Sequence, residues 1–386
     1  MELEENMKFV QKIKNSMRVH KKYFIVFFVL LGISVALNIF SRTIHGFADG
    51  YIKFVYPFSV NTLGRIHSIV PFSVGEVLIV VGILLLILAV IIIPLLLIFF
   101  RGKIFRGAKK FYGFFAMLLN VIFLVQTLNC FILYQGTTLE STMVSEDGYE
   151  ISELIALREE IVIRLNELGI QMERDAHGDL IYDEEEVKRE CINAMTQLGK
   201  EYPQLSGYYP NPKKLYFSKF VSQQSLLGIF FPFSMEANYN GLMYASNYPS
   251  TICHELSHLK GVILEDEANF YAYLACIQSE DLFFQYSGYL SVFYYVENDL
   301  LSHISQEEYQ TLTQVASYVY QDDIFLKEET WEEIEKEAIL DTETVEEVSD
   351  TLTEKSLNLN GVEDGMNSYS RVVKLLLAYC GDRGRK

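Results

Sequence analysis

The stretch His254-Glu255-Leu256-Ser257-His258 matches the H-E-x-x-H pattern and decides how the rest of the chain is interpreted. Residues four apart lie on one face of a helix, so both imidazoles are predicted to face the same point. Neutral histidine nitrogens arranged in this way suit Zn²⁺, which binds them at about 2.0–2.1 Å. Glu255 is rotated by roughly 100° around the helix from His254, which is the position of a general base that reaches water near the metal. Pro249 and Gly261 predict where this helix begins and ends.

A catalytic zinc site needs a third protein ligand and leaves a fourth position open. A second helix is predicted to begin near Glu265, which heads a stripe of small residues that continues through Ala268 and Ala272. Glu265 is therefore the predicted third ligand, and Glu267, about 200° away around the helix, remains the alternative. Asn269, one turn further on, is a candidate to orient Glu265 or a histidine. The competing explanation for this acidic cluster is a helix N-terminus that attracts negative charge.

The charge of the chain is divided between two parts with opposite signs. The chain has 386 residues, is 50% hydrophobic and carries a net charge of −18. Residues 1–134 hold 14 Lys and Arg against 5 Asp and Glu, whereas residues 135–386 hold 18 against 45. Such an acidic second part excludes nucleic-acid binding by counterion release, and anionic lipid head groups would repel it.

Three apolar runs predict three transmembrane helices, at about residues 23–40, 77–100 and 111–133. A cleaved signal peptide is the alternative for the first run, but no small-residue cleavage site follows it. The basic segment 1–22 and the basic loop 101–110 are predicted to face the cytoplasm. The loop 41–75, whose aromatic residues suit the membrane interface, and the domain 135–386 are then outside. Asn120, Gln126 and Asn129 in the third run are expected to form interhelical hydrogen bonds.

The domain at residues 135–386 is predicted to be mainly helical, with a small β-hairpin before the metal helix. Helical patterns cover residues 149–168, 183–198 and the aromatic stretch 281–304, and residues 305–357 indicate acidic, solvated helices. Residues 228–238 are rich in β-formers and are predicted to border the cleft, where Glu236 and Asn238 would support the metal site or contact substrate. A hairpin inside the core is the alternative.

Two other groups of residues carry open predictions. Tyr369 and Arg371, at the start of the last predicted helix, are candidates to stabilise a developing oxyanion, although ordinary packing and capping explain them equally simply. The five cysteines form no C-x-x-C pair. Their pairing cannot be read from the sequence, and buried free thiols are the expectation for them.

The order of these motifs resembles a bacterial membrane family catalogued as domain of unknown function 3810. The similarity covers nearly the whole chain and is carried by residues 71–76, 231–238, 253–276 and 360–373. It implies a membrane-anchored zinc-dependent protein. More distantly, Glu265-x-x-Ala268-Asn269 is similar to the E-x-x-A-D motif of CAAX-type and HtpX-type membrane peptidases, with Asn269 in place of the Asp. By that analogy Glu265 is the third zinc ligand. Leu264 stands where metzincins have their third histidine, so the metzincin interpretation fails.

These observations together predict a membrane-anchored zinc metallopeptidase with a gluzincin-like domain, a type of zincin, outside the cytoplasmic membrane. One zinc ion per chain would be held by His254, His258 and Glu265, and Glu255 would be the general base. The predicted partners are the lipid bilayer and a peptide or protein substrate, with no nucleic acid. The alternatives are a zinc-containing sensor or scaffold that does not hydrolyse anything and a zinc amidase that acts on the cell envelope.

Overall fold

The computed structural model of the protein describes residues 21–144, 148–360, 362 and 369–384. The predicted cytoplasmic segment 1–22 therefore lies almost entirely outside the described residues. Three helices are long and apolar enough to cross a membrane, at Lys21–Thr43, Val74–Phe100 and Ile104–Met143, and they are called the first, second and third membrane helix below. This confirms the three predicted membrane helices. The individual helical segments of this part are α1 Lys21–Thr43, α2 Phe47–Phe54, α3 Tyr56–Ser59, α4 Arg65–His67, α5 Val74–Ile87 and α6 Ile93–Gln126, with π-helical turns at Val60–Gly64, Leu88–Ile92 and Thr127–Phe131.

The basic segment 101–110 was predicted as a loop, and that prediction is wrong because the segment is helical. The chain bends at Phe100 alone, whose φ of −132° and ψ of 28° interrupt α6. The Tyr112 hydroxyl donates to the carbonyl of Ala89 at 2.7 Å, so the two helices run back along each other. Lys and Arg are good helix formers, so helical structure resumes directly after the bend.

The segment 41–75 was also predicted as a loop, and it is largely helical instead. Pro57 stands in the first turn of α3, where its missing N–H leaves no hydrogen bond unmade. Phe58 is exposed, as expected for the membrane interface, but Tyr56 is buried within the core of the molecule. Burial of such aromatic surface against the following domain stabilises a helical course that the polar turn residues of the segment did not suggest.

The remaining chain forms a mainly helical domain with a small sheet, as predicted. The helices begin and end close to the predicted boundaries because their apolar residues recur at helical spacing. They are α7 Leu139–Met143, α8 Ile151–Gly169, α9 Glu184–Leu198, α10 Ser218–Ser222, α11 Tyr248–His258, α12 Glu265–Ile277, α13 Leu282–Leu301, α14 Gln306–Tyr309, α15 Ser317–Asp322, α16 Glu328–Glu337, α17 Thr342–Asn360 and α18 Tyr369–Gly384.

The sheet has three short strands, β1 Lys213–Lys214, β2 Gly228–Phe231 and β3 Glu236–Tyr239, in the order β1-β3-β2. β2 and β3 form the predicted hairpin, with Gly228 opposite Tyr239 and Phe231 opposite Glu236. β1 runs parallel to β3 on its other side. β2 is therefore an edge strand of this sheet, and its outer backbone groups are not paired within it.

The core of the domain surrounds α11, α12 and α13. Leu256 on α11 and Phe270 and Leu274 on α12 are fully buried, and the aromatic stripe on α13 is buried as predicted. α8 joins this core through Arg158, whose buried guanidinium lies 3.0 Å from the carboxylate of Glu297 on α13. A buried charge requires such a partner, so this ion pair fixes how the two helices face each other.

The cysteines and the polar residues of the third membrane helix give mixed outcomes. All five cysteines are free, and Cys191, Cys253 and Cys276 are buried, which confirms the expectation of free thiols. Asn120 donates to the carbonyl of Phe27 in the first membrane helix at 2.7 Å, as predicted. Asn129 instead donates to the carbonyl of Pro232 at 2.7 Å, so the prediction of an interhelical bond is wrong for this residue.

Candidate metal centre

The helices α11 and α12 are brought together by the short turn between them. α11 ends at His258, and Gly261 has a φ of +84°, a backbone conformation that side-chain-bearing residues rarely adopt. Leu264 then takes an extended conformation and precedes the first residue of α12, Glu265. The turn therefore returns the chain so that the start of α12 faces the end of α11.

This arrangement places the carboxylate of Glu265 against both histidines. Its two oxygens lie 3.0 Å from Nε2 of His254 and 3.7 Å from Nε2 of His258. One ligand atom from each residue lies within 4.8 Å of the other two. Two ligand atoms bound tetrahedrally to zinc at about 2.0–2.1 Å are separated by about 3.3–3.4 Å. The three side chains are therefore spaced as a zinc ion requires, within a few tenths of an ångström.

The outer nitrogens of both rings are held by hydrogen-bond acceptors. Nδ1 of His254 lies 2.8 Å from Oδ1 of Asn269, and Nδ1 of His258 lies 2.7 Å from the carbonyl of Val262. A carbonyl or amide oxygen only accepts, so each neutral ring carries its proton on Nδ1 and a lone pair on Nε2. Two lone pairs and a carboxylate then face one another, an arrangement that a cation stabilises and that is repulsive without one.

The burial of the three groups differs, and the site opens on one side. The His254 and His258 side chains are 15% and 7% exposed, whereas the Glu265 side chain is 58% exposed. Burial disfavours the imidazolium of His258, but the Glu265 carboxylate outweighs this and raises the pKa of His258 to about 9. A bound metal would displace that proton, because only the neutral ring is a ligand.

Glu255 lies on the same helix and is buried beside strand β2. One of its oxygens would be 2.5 Å from a Cβ at Gly228, so only glycine fits at that position of the strand. Its other oxygen, Oε2, is buried and has no hydrogen-bond partner among the described residues. Burial raises the pKa of Glu255 to about 7, and the two histidines oppose that rise. An orphaned carboxylate oxygen beside two histidines leaves room for the water that a metal site holds.

The alternative ligand Glu267 lies elsewhere. Its carboxylate accepts the backbone N–H of Leu139 at the start of α7, and it borders a separate cavity of about 580 Å³. The position two residues after Glu265 places it on a different side of α12, as the helical geometry implies. The structure thus brings Glu265, and not Glu267, to the two histidines.

Glu236 does not reach the metal cluster. Its buried carboxylate forms an ion pair with Lys213 and accepts the backbone N–H groups of Val74 and Gly75 at 3.1 and 2.8 Å. It therefore caps the start of the second membrane helix, where free N–H groups attract negative charge. The predicted contact of Glu236 with the metal site or substrate is wrong in this structure.

Asn238 and the two predicted oxyanion residues take other positions. The amide of Asn238 is buried within the sheet and donates to the carbonyl of Ile229 at 3.3 Å. Arg371 lies with Nε 3.3 Å from a carboxylate oxygen of Asp266, the residue that follows the predicted ligand Glu265. The side chain of Tyr369 lies outside the described part of the chain. A role of any of them in catalysis stays a prediction.

The structure adds three residues to the surroundings of the site. Val262 holds the ring of His258, Gly228 makes room for Glu255, and the Tyr56 hydroxyl donates to the carbonyl of His258 at 3.2 Å. The glycine turn at residue 261 is a signal that a carbonyl near Val262 would face the helix end. Tyr56 lies 202 positions before His258, and no local pattern indicates that contact.

Comparison with known proteins places the chain in a family. None of the curated proteins matches the sequence, and none of the solved structures matches the fold. The family model described as protein of unknown function (DUF3810) matches residues 51–377. The matched region begins before α3, includes the second and third membrane helices, and contains both the hairpin and the candidate metal cluster. The chain therefore belongs to the DUF3810 family.

Proposed function

We propose that this protein is a membrane-anchored zinc metallopeptidase. The observation that carries the proposal is the convergence of two histidine lone pairs and the Glu265 carboxylate on one point beside a buried carboxyl group. Three protein ligands with an exposed side match a catalytic zinc site, since a structural site has four protein ligands and is closed. The other His, Cys, Asp and Glu side chains of the described residues form no further cluster of this kind.

Each residue has a defined task in this proposal. His254, His258 and Glu265 hold the zinc ion, and Asn269 and the carbonyl of Val262 orient the two rings. When bound, zinc supplies Lewis-acid chemistry, because it polarises a carbonyl group and lowers the pKa of water. Glu255 accepts a proton from the attacking water and transfers it to the amine that leaves. Its burial next to Gly228 keeps the carboxylate close to the reacting atoms.

The edge strand β2 supports a peptide as the substrate. Gly228 packs on Glu255, and the ring of Phe230 lies 6.0 Å from the ring of His258, so the strand borders the metal cluster. An extended peptide can pair with the free edge of such a strand and pass the metal. This arrangement is that of a zincin, here with the Glu ligand of a gluzincin. A sensor or scaffold has no use for a buried carboxyl group at this place.

Hydrolysis that depends on the metal tests the proposal. The purified full-length protein in detergent is expected to cleave members of a peptide library, to lose that activity with a chelator and to regain it with added zinc. The expected loss is at least about 10²-fold, because the metal polarises the carbonyl and activates the water. Amide hydrolysis of cell-envelope fragments with no cleavage of peptides would favour the amidase alternative. The absence of any chelator-sensitive hydrolysis would contradict the proposal.

We also propose that the domain lies outside the cytoplasmic membrane. The five basic residues between Arg101 and Lys110 are on the turn between the second and third membrane helices, and such clusters remain in the cytoplasm. Protease added to intact, wall-stripped cells is expected to release fragments of residues 135–386 and to spare the segment 101–110. Permeabilised cells serve as the control, because both regions become accessible there. Protection of the domain in intact cells would reverse the orientation.

A further inference from the structure

The hairpin β2–β3 connects the candidate metal centre directly to the second membrane helix. At one end of the hairpin, Gly228 packs against Glu255. At the other end, the Glu236 carboxylate accepts two backbone N–H groups from the first turn of the membrane helix. A Cβ at Gly75 in that turn would lie 2.2 Å from the ring of Phe231, so the ring rests on the helix backbone. Both ends of one short hairpin therefore have fixed partners.

The length of β2 sets the distance between the general base and the membrane helix. Phe231 is three residues after Gly228, and a strand rises about 3.3 Å per residue, so the two contacts are about 10 Å apart. Two more contacts hold the same geometry. Asn129 of the third membrane helix donates to Pro232 in the hairpin turn, and Tyr56 donates to the carbonyl of His258. The domain is thus seated on the membrane helices and does not hang from a linker.

An exposed aromatic group lies at the level where the second membrane helix begins. The carboxylate of Glu76, in the first turn of that helix, accepts the backbone N–H groups of Tyr216 and Phe217, both at 2.9 Å. The Tyr216 residue is 86% exposed, and Phe217, Phe220 and Phe72 are also exposed. Aromatic side chains at the end of an apolar span occupy the interfacial layer of a bilayer. These four residues are called the aromatic rim below.

From these contacts we infer that the site cleaves polypeptide segments close to the membrane surface, in substrates that are themselves anchored in the membrane. This inference rests on the proposed function and names its substrate class. An extended chain covers about 10 Å in three residues, so a cleavage site within about the first ten residues of a membrane span can reach the metal centre. The inference holds whichever side of the membrane the domain occupies.

Anchoring in the same bilayer also raises the concentration of such a substrate at the site. A tethered segment is presented to the enzyme at an effective concentration that is greatest when the tether just spans the distance and that falls as the tether lengthens. A free peptide has no such advantage. A short tether therefore separates a site at the membrane surface from a site on a distant domain, because a short tether cannot reach the latter.

The test uses the full-length protein in liposomes with one cleavable peptide in four forms. The peptide is joined to a single membrane helix by Gly/Ser spacers of about 5, 15 or 40 residues, or it is left free. We expect the form with the shortest spacer to be cleaved at least as fast as the form with the longest one, and about tenfold or more faster than the free peptide. Cleavage of the longest form without cleavage of the shortest would overturn the inference and leave the proposed function intact.

Liposomes that contain Glu255→Gln protein serve as the matched control for hydrolysis by another enzyme. If none of the four forms is cleaved, including the free peptide, the proposed function fails, and the inference about its substrate fails with it. The two failures are therefore distinguishable, because the free peptide and the longest tether do not depend on the height of the site above the bilayer.

A second measurement tests the position of the aromatic rim without hydrolysis. Trp331 is the only tryptophan in the chain, so Trp331→Phe removes the background fluorescence. In that variant, Tyr216→Trp is expected to be quenched strongly by lipids brominated on their acyl chains. Ile170→Trp is the control, because Ile170 is exposed next to Gly169, which packs on Tyr318 within the helical domain. Equal quenching of the two tryptophans, or quenching of the control alone, would overturn the inference that the domain rests on the membrane.

Discussion

Replacing His258 with alanine is expected to remove zinc from the purified full-length protein, from about one ion per chain to below about 0.1 after dialysis. The reason is that two remaining ligands are too few to hold a catalytic zinc ion against exchange with solvent. His254→Ala and Glu265→Ala are expected to give the same result, since each removes one of the three atoms that converge on the site. Elemental analysis of the protein in detergent measures the metal content directly.

Two matched variants control for general effects of losing a histidine or a carboxylate. His303→Ala removes a histidine whose ring bonds to the carbonyl of Asp299 in α13, away from the cluster. Glu267→Gln keeps an oxygen that can accept the N–H of Leu139 and removes only the charge. Both are expected to keep the zinc. Loss of zinc from Glu267→Gln with retention in Glu265→Ala would show that the third ligand is assigned wrongly.

Asn269 gives a graded version of the same prediction. Its Oδ1 holds Nδ1 of His254, and such outer contacts typically change metal affinity by about 10–100-fold. Asn269→Ala is therefore expected to bind zinc more weakly while it still binds one ion per chain. Competition with a chelator of known affinity measures that change. An unchanged affinity would mean that the hydrogen bond to Asn269 has no part in orienting the ring.

The helices of the site could be predicted from the sequence because their signals are local. The spacing of His254 and His258, the glycine at residue 261 and the small residues that follow Glu265 all lie within about two helices of one another. Helical periodicity, which relates residues four apart to one face, then predicts which side chains converge. The membrane helices were predicted for the same reason, since a run of apolar residues is a property of a single segment.

The surroundings of the site could not be predicted in this way, because their partners are distant in sequence. Glu236 lies close to the metal motif along the chain and was expected to support the site, yet its ion pair with Lys213 and its cap on the second membrane helix decide its position. Tyr56 stands in a segment that reads as a polar loop, and only packing against α11 shows that it is buried. Periodicity describes one element and says nothing about which distant element covers it.

The contacts between the two parts of the chain change how the net charge is understood. An acidic domain is expected to be repelled by anionic lipids, which favours a domain that stands away from the membrane. Buried hydrogen bonds from Glu236 and Glu76 to backbone N–H groups instead tie the domain to the membrane helix. Bonds of this kind, from a carboxylate to backbone donors, are stronger than screened repulsion between surface charges at physiological ionic strength.

Replacing Glu255 with glutamine is expected to reduce peptide hydrolysis by at least about 10²-fold, the lower end of what a general base contributes. Glutamine has nearly the same shape, so it fits beside Gly228, but it cannot take a proton from water. Because Glu255 is not one of the three converging ligands, the zinc content and the melting temperature are expected to stay close to those of the unmodified protein. Initial rates on a cleaved library peptide, with zinc analysis of the same samples, measure both effects.

The same variant separates the peptidase from a sensor that only binds zinc. A sensor depends on the fold and on the metal, both of which Glu255→Gln leaves in place, so its cellular phenotype would survive this substitution and be lost in His254→Ala. A peptidase depends on proton transfer as well, so both variants would lose the phenotype. The buried Glu255 oxygen without a partner among the described residues favours the second outcome, because burial of an unpaired carboxyl group destabilises a fold that does not use it. A full phenotype in Glu255→Gln cells that is absent from His254→Ala cells would make the metal structural and end the peptidase proposal.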